Sequence, residues 1–131
     1  MPPPEGWRVL RLGDAVELAV PPDAAEVDLP PVDSVFGVLR GEGYEVVYDY
    51  GRYGEDLADL RDLPGYTRRE RQVQARTATD IAVAGAGDPW RRVRVLRVDN
   101  DRDQLTVRVS CVDDRTCALA DTLFDLVRFT K

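Results

Sequence analysis

Apolar and polar residues alternate with a period of two along most of the chain, and the clearest helical period comes near its end. Residues 7–12 set Trp7, Val9 and Arg11 against Arg8, Leu10 and Leu12, and Gly13-Asp14 supplies a tight turn. A second strand at 16–20 is ended by Pro21-Pro22, and the proline-rich, acidic residues 21–33 read as a surface loop. Strands at 35–39 and 44–50 flank Gly41-Glu42-Gly43 as a hairpin. In residues 51–66, Leu57, Leu60 and Leu63 allow a short helix that Pro64-Gly65 ends. Strands follow at 67–74, 79–84, 90–98 and 104–111; the first is strongly polar and therefore edge-like. The last two flank Asp99-Asn100-Asp101-Arg102-Asp103 as a hairpin.

Within 104–111, Leu105, Val107, Val109 and Cys111 share one face, while Thr106, Arg108 and Ser110 share the other. That alternation marks a sheet covered on one side. The cover is a helix over 114–128. On its wheel Cys117, Leu119, Ala120, Leu123, Phe124, Leu126 and Val127 fill one half. Ala118, Asp121, Thr122, Asp125 and Arg128 fill the other. Asp113 or Asp114 serves as N-cap, and Arg128 suits the negative end of the helix dipole. The expected fold is α+β: an antiparallel, hairpin-rich sheet covered on one face by a C-terminal amphipathic helix. It forms a single domain over 1–131, with 1–6 as a flexible tail.

Composition supports a folded globule, because 44% hydrophobic and 32% charged residues leave enough apolar surface for a core. No apolar run reaches the ~18–20 residues of a membrane span. The start, Met1-Pro2-Pro3-Pro4-Glu5-Gly6, has neither the basic nor the hydrophobic region of a signal peptide. It suits a cytoplasmic protein, or an exported domain that begins after a removed signal. The net charge of −6 is uneven: residues 1–66 carry 14 acids and five bases, residues 67–131 ten acids and 13 bases. An acidic whole argues against a nucleic-acid partner, since phosphate neutralisation supplies most non-specific affinity.

The missing chemistry is informative. The chain has no histidine, which excludes Ser-His-Asp and Cys-His catalysis and every His-containing metal site. Its one lysine is Lys131, so there is neither a buried Schiff-base lysine nor a P-loop. Ser34 and Ser110 lie in no nucleophile-elbow context, and Gly85-Ala86-Gly87 lacks the third glycine of a phosphate cradle. An enzyme is not expected, and no cofactor or metal is implied. The 99–103 segment has acidic oxygens at alternate positions, but Gln104 and Ser110 stand where a calcium loop needs Gly and Glu, so it reads as a polar turn.

Candidate binding residues fall in two groups. Tyr44, Val46, Tyr48 and Tyr50 share a strand face and read as a core row, while Arg52 and Tyr53 follow Gly51 on an aromatic turn. A groove near Tyr50, Arg52 and Tyr53 would present amphipathic rings at low entropic cost. The arginines at 68–76 and 91–97, among them Arg92 and Arg94, form a basic face if their strands share a sheet, an anion-favouring flank for that groove. Pairing of these arginines with acids such as Glu70, Glu45 and Asp49 is the competing reading. Cys111 and Cys117 meet at one strand–helix junction, as a disulfide or as two small buried thiols.

Gly6-Trp7-Arg8-Val9-Leu10-Arg11-Leu12 at the start, an apolar strand running into Pro21-Pro22, late hairpins, and the closing Ala120-Asp121-Thr122-Leu123-Phe124-Asp125-Leu126-Val127-Arg128-Phe129 make up a familiar layout. Over about 100 residues it resembles the PsbP-like/Ran-binding Mog-type α/β/α sandwich group. The resemblance implies an antiparallel sheet with packed helices and a binding or assembly role without catalysis. Metal sites described for members bound to photosystem II use histidine and have no counterpart here, and no N-terminal helix is evident. The expected function is a non-enzymatic binding or accessory protein of a bacterial extracytoplasmic space, periplasmic or secreted, whose partner is a protein or a small anionic ligand. The alternative is a cytoplasmic acidic inhibitor or immunity-type protein that uses its acidic first half.

Overall fold

The computed structural model describes residues 3–29, 35–51, 57–85, 87 and 90–130. Its elements in chain order are β1 (Arg8–Leu12), β2 (Val16–Val20), β3 (Ala25–Glu26), β4 (Val35–Gly41), β5 (Tyr44–Gly51), a 3-10 turn (Ala58–Leu60), β6 (Thr67–Val73), β7 (Arg76–Ala84), β8 (Arg92–Asn100), β9 (Asp103–Cys111), α1 (Asp114–Asp125) and β10 (Arg128–Phe129). Seven strands form one antiparallel sheet in the order β3-β4-β5-β9-β8-β7-β6. The other three form a small sheet, β1-β2-β10. The fold is α+β with the C-terminal helix packed against β8 and β9.

Strands β6 to β9 are a meander whose last member returns to pair with β5, so Tyr44 faces Cys111 and Tyr50 faces Leu105. The chain leaving β5 must therefore travel to the far edge of the sheet before β6 begins. Residues 57–66 lie over its outer face, where Leu57 and Leu60 pack with Ile81, Val83, Val93 and Val95. The inner face carries the main core. There Leu39, Val46, Leu96, Val98, Leu105, Val107 and Val109 meet Leu12, Val16, Leu18 and Val20 of the small sheet and Ala120, Leu123 and Phe124 of α1.

Two cross-strand pairs in this core use glycine because an aromatic ring occupies the place of a side chain. Gly37 faces Tyr48 and Gly41 faces Tyr44. A Cβ on Gly37 would overlap the Tyr48 ring, and one on Gly41 the Tyr44 ring. Rings folded over glycines in this way seal a strand that would otherwise bury little.

The helix starts where capping predicts: the Asp113 carboxylate accepts the Thr116 backbone N–H at 2.7 Å, which holds that carboxyl below its ordinary pKa. It ends three residues earlier than its apolar pattern suggests. Beyond Leu126 the burial period changes from helical to two, with Val127 and Phe129 buried and Arg128 exposed. Phe129 pairs with Val16, and Arg128, expected as a C-terminal helix cation, is a strand residue instead. The β6–β7 turn places Gln74 and Ala75 at φ 49° and 66°, the left-handed geometry that suits the twist of a tight hairpin. The Gln74 side chain then accepts the Phe129 backbone N–H, tying that turn to β10.

Phe124→Ala should lower the unfolding free energy by about 3–5 kcal/mol, because the ring is fully buried. Thr122→Ala on the same helix should stay within about 0.5 kcal/mol. Denaturant melts of the two variants measure the contrast, and equal losses would contradict the packing of α1.

Candidate functional site

The sheet extends past the helix as a wing made of β6, β7 and the start of β8. On the inner face of the wing, β7 presents Ala78, Asp80, Ala82 and Ala84, while Ile81 and Val83 turn outward. Small residues leave room there, and register fixes what surrounds it. Arg92 lies beside Ala84, Arg94 beside Ala82, Arg69 beside Asp80 and Arg71 beside Ala78.

Asp80 is the centre of this arrangement, with a side chain 3% exposed. Its carboxylate accepts from Arg69 at 3.1 Å, Arg71 at 3.3 Å and Arg94 at 3.2 Å. Two of these arginines also reach the helix, Arg94 to Asp121 at 2.8 Å and Arg71 to Asp125 at 2.9 Å. Arg92 donates to Asp114 at 2.6 Å. The helix carboxylates stand at positions 114, 121 and 125, and with Ala118 they form one stripe at spacings of four, three and four. Burial alone pulls the Arg94 pKa down, but its hydrogen bond to Asp121 and the Asp80 charge outweigh that, and the net shift is upward. Arg71 is raised in the same way, with Asp125 and Asp80 opposing burial. The Arg94 guanidinium also lies 5.5 Å from the centroid of the Phe124 ring, and its Nε is buried without a hydrogen-bond partner.

Between the stripe and the wing runs a groove. One part, about 330 Å³, is bounded by Gly65, Ala84, Arg92, Asp114, Cys117 and Ala118. The other, about 430 Å³, is bounded by Thr67, Arg68, Arg69 and Asp80. The two share Ala82, Arg94 and Asp121. Guanidinium N–H groups and carboxylate oxygens line it over a floor of alanine methyls, a surface suited to holding a charged group in place.

The structure brings Arg92 and Arg94 together here and sets Tyr50 at the other end of the sheet. Tyr50 is 9% exposed, its ring is in the main core, and its hydroxyl accepts from Asn100 Nδ2 at 2.9 Å. Asn100 accepts in turn from Arg76, whose guanidinium lies 4.5 Å over the Phe129 ring. Tyr50 therefore presents no ring to solvent and shares no groove with Arg92 and Arg94. Arg52 and Tyr53 lie outside the described residues. Among the acids expected to pair with the arginines, Glu45 bonds Arg40 and Glu70 bonds Arg68, whereas the groove arginines use Asp80, Asp114 and Asp121. Asp121, on the polar half of the wheel, faces Arg94 across the groove, and Asp125 on the same half pairs with Arg71 outside it. Two signals pointed to this: the carboxylate spacing on the helix, and a lone acid in the otherwise uncharged strand segment Thr77-Ala78-Thr79-Asp80-Ile81-Ala82-Val83-Ala84.

The two cysteines are bridged, with Cα atoms 5.3 Å apart, joining the end of β9 to the first turn of α1 beside the groove. Reduction should lower stability by about 2 kcal/mol, as expected for so short a loop, and leave the domain folded. Intact-mass measurement with and without reductant, paired with melts, checks this, and free thiols in oxidised protein would contradict it. Asp80→Ala should cost about 3 kcal/mol, the lower end for a broken buried ion pair because Arg71 and Arg94 keep their helix partners. Asp114→Asn should stay within about 0.5 kcal/mol by the same melts.

The chain matches no protein-family model and no curated protein sequence. Its fold is similar to the solution structure of cyanobacterial PsbP (CyanoP) from Synechocystis sp. PCC 6803. The two superpose with a TM-score of 0.66 at 14% identity, over 95% of this chain and 92% of that one. The fold is thus PsbP-like, although in place of an N-terminal helix the described residues put the β1–β2 hairpin.

Proposed function

We propose that the chain is a non-enzymatic binding or accessory protein of a bacterial extracytoplasmic space, and that it holds an anionic group of its partner in the groove between α1 and the wing. The observation that carries this reading is the convergence of Arg69, Arg92 and Arg94, from two non-adjacent strands, on one alanine-floored groove. Arg69 is 68% exposed and spends one nitrogen on Asp80, which leaves the rest of its planar fork for a carboxylate or phosphate. The bridge at Cys111–Cys117 suits an oxidising compartment. The PsbP-like fold agrees with the binding or assembly role that group implies.

The test uses purified chain as bait against an extracytoplasmic extract, followed by reconstitution with whatever purified partner is recovered. Arg69→Ala with Arg92→Ala should abolish capture and shift the melting temperature by no more than about 4 °C, which corresponds to under ~1 kcal/mol. Arg52→Ala with Tyr53→Ala, at the other candidate surface, should leave capture intact. The reverse pattern would move the site to the strand end. Capture that needs Asp23, Glu26 and Asp28 instead would favour the acidic-interaction reading.

A further inference from the structure

The three kinds of ion pair along the groove differ in how deeply the carboxylate is held. Asp80 is buried, whereas the Asp121 side chain is 61% exposed and that of Asp114 is 82% exposed. An exposed carboxylate released from its arginine is taken up by water at little cost, because surface pairs contribute little net stability. Asp80 has no such exit. Arg94 therefore keeps one fixed partner and one exchangeable partner, and among the described carboxylates Arg92 pairs with the exchangeable Asp114.

We infer that Asp114 and Asp121 are displaceable stand-ins for the carboxylates of an acidic, extended segment of a partner protein, which takes their places on Arg92 and Arg94. The inference rests on the groove being the binding site and adds what binds there. The repeat of the groove favours a polypeptide. Arg92, Arg94 and the Asp80–Arg69 pair occupy three successive same-face rows of the sheet. Such rows are about 6.6–6.8 Å apart, and an extended peptide repeats its own same-side residues at that spacing. Acids at alternate positions of a strand would meet one arginine per row. Ala82 and Ala84 on the floor and Ala118 on the wall reach no further than a methyl, so a backbone can lie close. The wing ends at β6, an edge strand of the sheet.

The helix stripe supplies its own control. Asp125 sits on the same face of α1 and carries the same charge, but it pairs with Arg71, which lines neither part of the groove. The probe is a fluorescently labelled peptide of alternating glutamate and serine, titrated by anisotropy. Asp114→Asn with Asp121→Asn should bind it about three- to tenfold more tightly than the unsubstituted chain, as removal of surface-pair competitors implies. Each single substitution should give part of that gain, Asp125→Asn should change affinity less than about twofold, and Arg92→Ala should lose binding. Equal gains from Asp125→Asn would reduce the effect to bulk charge and overturn the inference. So would equal binding of the glutamine-for-glutamate peptide, or succinate binding as tightly as the peptide, which would assign the groove to a small dianion. Absence of peptide binding by every variant overturns it as well, while loss of partner capture on Arg69→Ala with Arg92→Ala would still uphold the groove.

Discussion

Asp80 is a carboxylate placed in the inner face of a sheet, with Ala78 and Ala82 as its same-face neighbours on the strand and its side chain nearly closed to water. Taking a charge out of water costs several kcal/mol unless other charges and hydrogen bonds replace the solvent. Strands on both sides of β7 supply that replacement, Arg69 and Arg71 from β6 and Arg94 from β8. Register is thereby fixed. A slip of one residue in either neighbour would carry its arginines to the outer face and leave Asp80 uncompensated. The requirement passes upward too, because Arg71 and Arg94 use their remaining nitrogens on Asp125 and Asp121. One buried carboxylate thus links the wing of the sheet to the position of the helix.

The apolar core cannot do this alone. Helix α1 packs over β8, β9 and β2, and its buried residues Cys117, Ala120, Leu123 and Phe124 point into the centre of the sheet. Away from that centre the inner face of β7 offers mostly methyl groups, too little apolar surface to hold a helix edge. The ring of Phe124 marks the boundary: it is fully buried, and the Arg94 guanidinium lies over it from the groove side. Hydrophobic packing holds one flank of the helix, and ion pairs line the other.

Much of the fold was legible because alternation along a strand and the wheel of a helix are local properties. The Tyr44, Val46, Tyr48 and Tyr50 row, the Asp99–Asp103 hairpin and the buried half of α1 all follow from them. What was not legible depended on partners distant in the chain. Nothing near Tyr50 announces that Asn100 will occupy its hydroxyl, since that bond exists only because β5 pairs with β9. The end of the helix was misplaced because Val127 continues the apolar wheel. Only the pairing of Phe129 with Val16, more than a hundred residues earlier, makes it a strand position. The arginines were visible as two groups on two strands. Their meaning turned on β7 lying between those strands and on the single acid it carries.

The groove that results is tied covalently at one end. At one end the bridge between Cys111 and Cys117 ties the first turn of α1 to β9, and Cys111 is the cross-strand neighbour of Arg92. At the other end the Arg71–Asp125 pair reaches from the last turn of α1 to β6. The bridge limits how far the first turn of α1 can move from β9, so a ligand entering beside it would mainly reorganise side chains. The exposed carboxylates Asp114 and Asp121, which line the groove, can move aside at small cost. A site of that kind spends little free energy on ordering itself when a partner arrives, which is the advantage of preorganisation. Its selectivity would then come from matching the fixed arginine rows, because a partner with charges at another spacing would displace the stand-ins without replacing what they supply.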